Sequence, residues 1–412
     1  ETPEQYKRYV NSLKASVLTA FYTPEPVVNA ISDSLRESDI RPKWFLDPSA
    51  GTGAFIDSFK RMKHRFGVTG FEKDLITGKI LSQLYPDPGD NIRIEGYEKL
   101  EGRYSQYYDV IASNIPFGDT AVFDPLLSNH SEQAVKQSTQ AIHNYFFVKS
   151  AMSIREGGLI AFITSQGVLN SEQNKPVREL LMRSCDLVSA IRLPNNLFTE
   201  HAGTEVGSDL IILQRNNKHI EPTKRQQDFI ENRKLSNGIS ITNLFRDFNR
   251  EGQTSPKVDT DPYGKPAIVF DHSGGIEGIA SELKRMLKED FAKHLDVQHY
   301  QNHSQSNPAK TIAQSSPIIA KEIKQQSPDQ ELQQKGASAL PPDKTLFSDN
   351  PPLPEDSVEK ETTVTSQHAA ANPSAAPGNF AGTLFDMDDP SIKKEPTTEA
   401  KPQSVTQQPL IT

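Results

Sequence analysis

The single cysteine, Cys185, excludes an internal disulfide and any cysteine-rich zinc site, and is expected to be a small buried residue in a reducing compartment. No apolar run approaches bilayer length and no secretory signal is evident, so a soluble, cytoplasmic chain is expected. Hydrophobic residues are also scarce, at 35% of 412 with a mean hydropathy of -0.58, too few for the whole chain to fold. The shortage is localised, because 14 of the 29 prolines fall in residues 301–412, a stretch rich in Gln, Ser, Thr and acidic residues with a net charge of -5. We expect a disordered low-complexity tail there. Residues 1–215 carry -3 and residues 216–300 are neutral, which argues against broad electrostatic coating of nucleic acid and leaves a local basic face open.

What is present is an α/β rhythm. Trp44–Leu46, Gly67–Phe71, Ile92–Ile94, Asp109–Ser113, Leu159–Thr164, Leu187–Leu193 and Leu210–Gln214 read as strands. Helical stretches at Gly53–Phe66, Asp74–Leu84, Ala141–Ile154 and Pro176–Ser184 separate them, giving a mostly parallel seven-stranded sheet whose last strand can insert antiparallel. Residues 1–215 form the main domain. Residues 216–300, with one helix at Ile276–His294 and a turn at Asp261–Gly264, read as a small accessory region. Doubly wound sheets bind ligands at the carboxyl ends of their strands, so the segments after the first, second and fourth strands carry the candidates.

After the first strand, Asp47-Pro48-Ser49-Ala50-Gly51-Thr52-Gly53-Ala54-Phe55 has the glycines of a tight strand-to-helix turn that lets a ligand approach the backbone. A GxG alone also fits a bare turn. Glu72 ends the second strand 19 residues beyond Gly53, near the spacing at which a carboxylate accepts ribose hydroxyls in dinucleotide folds. A missing third glycine, the absence of a Walker lysine and Pro48 argue against NAD and ATP. The fourth strand ends at Asn114-Ile115-Pro116-Phe117-Gly118, an amide, a proline and an aromatic that taken alone also fit an ordinary turn.

The Asp47–Phe55 segment resembles the cofactor motif of adenine-N6 DNA methyltransferases. Phe21-Tyr22-Thr23-Pro24 is similar to the motif that family places ahead of its first strand in the gamma arrangement. Taken alone, Thr23 before Pro24, Glu25 and Pro26 reads better as a helix N-cap, a role compatible with that motif. The resemblance implies a Rossmann-like S-adenosylmethionine-dependent methyltransferase, needing no metal. It implies Tyr22, Thr23, Pro24, Asp47, Ser49, Gly51, Gly53, Glu72 and Asn114 as contacts of S-adenosylmethionine.

It implies Asn114, Ile115, Pro116 and Phe117 as the catalytic set on a flipped adenine. The Asn114 side-chain carbonyl and the Ile115 main-chain carbonyl would accept the N6 protons while Phe117 stacks on the base. The family's motif is Asn/Asp-Pro-Pro-Tyr/Phe, so Ile115 keeps the carbonyl and gives up a proline's rigidity. His143 is expected to be a satisfied helix residue rather than a base.

Ile191–Phe198 and Gly203–Val206 are similar to methylase modules joined to helicases in bacterial mobile-element proteins. That likeness implies double-stranded DNA as partner, with a helicase or specificity subunit and a bacterial cytoplasm. Asn195, Asn196 and Phe198 line a base pocket or form a plain turn. The polar Asp119–Gln140 insertion is a candidate DNA contact. Two apolar-acidic islands in the tail, Thr345–Asp349 and Thr383–Asp386, read as docking peptides or as chance. Two other readings stand beside DNA adenine methylation: transfer to RNA or a protein amide, and a decayed site in a protein that only binds DNA or partners.

Overall fold

A strand buried on both faces reads as an unbroken apolar run, because each face meets its own layer of helices. The computed structural model describes residues 22–199, 206–218, 221–245, 256–260 and 266–304. Seven strands, β1 (Trp44–Asp47), β2 (Gly67–Phe71), β3 (Asp90–Arg93), β4 (Tyr108–Asn114), β5 (Ile154–Ser165), β6 (Cys185–Leu193) and β7 (Ser208–Arg215), form one sheet in the order β3-β2-β1-β4-β5-β7-β6. β1 to β5 pair in parallel, whereas β7 runs antiparallel to both β5 and β6. The expected Rossmann-like methyltransferase sheet is present, including its antiparallel last strand.

Along β5, Leu159, Ala161 and Ile163 enter one core while Ile160 and Phe162 enter the other, and β7 alternates the same way. Over the first face lie α1 (Glu25–Glu37), α2 (Ala54–Lys60) and α10 (Gly275–His294). The second face carries α6 (Ile142–Ser153), α8 (Lys175–Met182) and α9 (Lys224–Ile230). The long helix read into the 216–300 segment is thus built into the main core. It inserts Ile279, Leu283, Leu287 and Phe291 beside α1, each such burial being worth about 1.5–3 kcal/mol relative to exposure. The same segment adds two small antiparallel pairs, β8 (Asn232–Lys234) with β9 (Ser240–Thr242) and β10 (Lys257–Thr260) with β11 (Pro266–Val269).

Element ends differ from expectation where backbone geometry intervenes. The helix expected over Gly53–Phe66 stops at Lys60, and Lys63 then turns left-handed at φ 56°. β5 starts at Ile154, earlier than its apolar run suggests, because Gly157 at φ 72° and a register shift opposite Tyr108 and Val110 absorb an irregularity. Gly157 also has to be small, since a Cβ there would meet the His299 carbonyl of α11 (Val297–Ser304) at 2.5 Å. Phe21, Gly203–Glu205, the Asp261–Gly264 turn and the tail from 305 onward, with its two islands, lie outside the described residues. Among the described residues, no helix is long and apolar enough to cross a membrane, and no His, Cys, Asp and Glu cluster has metal-site geometry.

Candidate active site

β1 ends in Asp47, and the loop to α2 is shaped by two glycines with positive φ, Gly51 at 55° and Gly53 at 97°. Asp47 is 1% exposed and lies beneath this loop. Its Oδ1 accepts hydrogen bonds from the Ser113 hydroxyl at 2.7 Å and the Ser49 amide at 3.2 Å. Ser113 is the penultimate residue of β4, so one carboxylate ties the first loop to the strand that presents Asn114. Glu72 closes the loop from the other side: it accepts from the Gly51 amide at 2.9 Å and the Asp74 amide at 2.7 Å. Burial raises its pKa above the ordinary carboxyl value.

Asp74 caps α3 (Leu75–Leu84) by accepting from the amides of Ile76 and Thr77. Tyr22 lies against the same corner. A Cβ on Gly51 would sit 3.6 Å from its ring, and its hydroxyl hydrogen-bonds Thr77. Thr23 does not cap α1, since the helix begins at Glu25 with Pro24 in the cap position and no side-chain cap. The Pro24 carbonyl takes the Val27 and Val28 amides, while the buried Thr23 Oγ1 has no hydrogen-bond partner among the described residues. Tyr22, Thr23, Gly51 and Glu72 thereby meet at the carboxyl ends of β1 and β2.

At the end of β4, Asn114 is half-buried and Ile115 is 1% exposed in the second core. The Ile115 amide donates to the Ile163 carbonyl at 3.0 Å, carrying the β4–β5 ladder one residue past Asn114. A proline has no hydrogen to give there. The rigidity that a proline would bring through its ring is here supplied by a backbone hydrogen bond, worth about 1 kcal/mol net, and by the buried side chain. Phe117 is half-buried and meets Phe198 edge to face, with ring centroids 6.2 Å apart.

Beyond Phe117 and Gly118 opens a cleft of about 1100 Å³, walled by polar groups that include His143, Asn144, Gln166 and Asn174. His143 is buried, which holds its pKa down to about 4, and its Nε2 lies 3.3 Å from Asn174 Nδ2. It is neutral near pH 7 and a weak base there.

A family model described as N-6 DNA Methylase matches residues 4–255. The chain belongs to the N-6 DNA methylase family. Among curated relatives, it is 24% identical over 199 residues to the defense against restriction protein B of Escherichia phage P1, covering 48% of this chain and 8% of that protein. It is 27% identical over 206 residues to the methylase subunit of the type I restriction enzyme EcoEI of Escherichia coli, covering 44% and 40%. With the type II methyltransferase M.AccI of Acinetobacter calcoaceticus it shares 24% over 279 residues, covering 66% and 50%. The chain thus spans half or less of each of these relatives. Among solved structures, the type IIG restriction endonuclease BpuSI aligns with a TM-score of 0.40 at 16% identity, covering 68% of this chain and 33% of that one.

In this member of the N-6 DNA methylase family, hydrogen bonds tie Asp47, Ser49, Gly51 and Glu72 into one loop beside the end of β4, where Asn114 to Phe117 follow. Asn195 and Asn196 are spent on the backbone: their side chains pair with the main chain of Phe270 and His272, in the segment that follows β11. Ser113 and Tyr85 escaped the sequence reading. A serine inside an apolar strand and a tyrosine just past a helix carry no motif, yet each bonds directly to the cofactor loop.

Two outcomes follow from this loop. Gly53→Ala is expected to destabilise the protein by about 2–3 kcal/mol, combining left-handed strain with overpacking. A Cβ there would come within 2.4 Å of the Tyr85 hydroxyl, which itself donates to the Gly53 carbonyl at 3.1 Å and cannot easily withdraw. Adding Tyr85→Ala should relieve the steric part and not the φ part; urea unfolding of the single and double variants checks this.

Asp47 carries a pH dependence. Burial pushes its carboxyl from 3.8 up to about 7. Below 3.8 the group is protonated in both folded and unfolded chains, and above 7 it is ionised in both. In between, the folded state holds a proton the unfolded state lacks, so this group's contribution to stability falls as pH rises across that window. Asp47→Asn keeps an acceptor for Ser113 and Ser49 and removes the titration. Relative to wild type, the variant is expected to gain stability from pH 4.5 to 8, read as a rising difference in urea midpoints; an unchanging difference would refute the buried carboxyl.

Proposed function

We propose that the chain transfers a methyl group from S-adenosylmethionine to the N6 amine of an adenine flipped out of duplex DNA. The observation that carries this reading is the Ser113–Asp47 hydrogen bond, which sets the Asn114–Phe117 loop beside the Asp47–Gly53 loop. The family supports it, through relatives named as methyltransferases of restriction systems.

The residues present fit S-adenosylmethionine. Thr23 offers a buried hydroxyl with no hydrogen-bond partner among the described residues, Gly51 turns the loop at a positive φ of 55°, and Glu72 is a fixed carboxylate at the end of β2. Tyr22, Thr23 and Pro24 at the start of α1 would hold its methionine end, where a helix N-terminus favours a carboxylate. Ser49, Gly51 and Gly53 would follow its backbone, and Glu72 retains lone pairs for ribose hydroxyls. Asp47 acts from below, by shaping the loop. When bound, the cofactor supplies an activated methyl group.

Adenine's exocyclic nitrogen is a poor nucleophile because its lone pair is delocalised into the ring. Asn114 Oδ1 and the Ile115 carbonyl would draw its two protons and localise that pair. The Ile115 amide, committed to Ile163, fixes the direction of the peptide that follows the Asn114 side chain. Pro116 stiffens the turn and Phe117, supported by Phe198, offers a face to the base. With half or less of each curated relative represented, target recognition or helicase activity would come from a partner or a further segment.

The test is incubation of purified protein with methyl-labelled cofactor and mixed-sequence duplex DNA. Label on adenine N6 is expected. Label confined to RNA or protein, or no label at all, would overturn the reading.

A further inference from the structure

The insertion between the catalytic loop and α6 folds into two short helices, α4 (Pro125–Ser128) and α5 (Gln133–Ser138), which bury Leu127 and Val135 in the second core. Its first residues, Asp119 and Thr120, and its last, Gln137 and Gln140, line the cleft beside Phe117. Phe123, three residues beyond Thr120, is 81% exposed, with Leu126, 46% exposed, one turn further on. Leaving a phenylalanine in water forgoes the free energy of burying it.

The backbone on both sides of Phe123 is fixed. The Val122 amide donates to the Thr139 carbonyl at 2.8 Å. Asp124 is 3% exposed and accepts from Lys149 at 2.7 Å, from the Tyr145 hydroxyl at 2.8 Å and from the Leu126 amide at 2.9 Å. That cluster holds the Asp124 carboxyl below the usual range, so it stays ionised and paired. Phe123 is therefore an aromatic held out from a braced stem, not a residue on a slack loop.

We propose that Phe123 is a wedge that enters the base stack of duplex DNA next to the base presented to Asn114. The proposal rests on the reading of the site as a DNA adenine methyltransferase and adds where the duplex lies. A flipped base leaves a gap, and an apolar side chain filling it offsets lost stacking. Asp124 is matched by Lys149 and Glu132 by Arg183, so two of the insertion's three carboxylates are neutralised within the protein, which lessens repulsion of a polyanion by the stem that carries Phe123.

The test compares binding to a fluorescent mixed-sequence duplex with binding to the same duplex carrying one abasic site. Wild type is expected to bind the abasic duplex at least five-fold more tightly; Phe123→Ala should bring that ratio to within two-fold of one, and Phe123→Trp should keep it. Because Phe123 is exposed, neither substitution threatens the fold. A wild-type ratio near one, or a Phe123→Ala ratio equal to wild type, overturns the wedge. A wild-type protein that labels no adenine yet shows the Phe123-dependent ratio upholds the wedge and overturns the methylation reading alone.

Discussion

Asn114→Ala is expected to lower kcat for methyl transfer by 10²–10³-fold while leaving S-adenosylmethionine affinity within about three-fold. Removing one preorganised hydrogen-bonding group from the charge-developing centre of a reaction costs about 2.7–4 kcal/mol in comparable sites. Here the group removed is an acceptor. With Oδ1 gone, only the Ile115 carbonyl remains to draw a proton from the amine, and the nitrogen lone pair stays in the ring. Cofactor affinity should hold because the loop itself is built by hydrogen bonds to Asp47 and Glu72, with Ser113 as a donor, and all three remain in the variant. Asn114→Asp retains an acceptor at the same position and should recover part of the rate. Single-turnover rates with labelled cofactor, beside calorimetric cofactor affinity, check the split. Wild-type turnover in the alanine variant would remove Asn114 from the chemistry.

The sheet was legible because its period was undisturbed: apolar runs of strand length alternate with helical stretches, and all seven strands lie where those runs stand. Ends were less legible where one residue's φ decides, as at Lys63 and Gly157. The two loops could be read because glycines, a proline and an amide are chemically distinctive at strand ends. The connection between the loops could not, since Ser113 is an unremarkable residue in sequence and acquires its role only when β4 lies beside β1. Ile115 read as a weakness for the same reason: its compensation is a hydrogen bond to Ile163, 48 positions along the chain. Thr23 read as a cap because its sequence context is that of caps, while the fold begins the helix two residues later.

The largest stability loss is expected from Asp209→Ala, at about 3–5 kcal/mol, because it removes the carboxylate from a buried ion pair. Arg192 on β6 and Asp209 on β7 are 1% and 0% exposed at their side chains and pair with each other. The guanidinium also donates to Gln166 Oε1 and Asn170 Oδ1, each at 3.2 Å, and lies over the Phe245 ring. Gln166 and Asn170, from the end of β5 through α7 (Gly167–Asn170), line the cleft beside Phe117. Neutral amides cannot replace the lost carboxylate in a dry site. Replacing both ions, as Arg192→Met with Asp209→Leu, removes both charges together and should recover most of the loss in urea unfolding. Turnover should stay depressed in that double variant, because Gln166 and Asn170 would have lost the donor that orients them. Stability and activity would then part company in one protein. A loss below 1 kcal/mol for Asp209→Ala would mean the pair is not buried as described, and full activity in the double variant would mean this wall of the cleft does not position substrate.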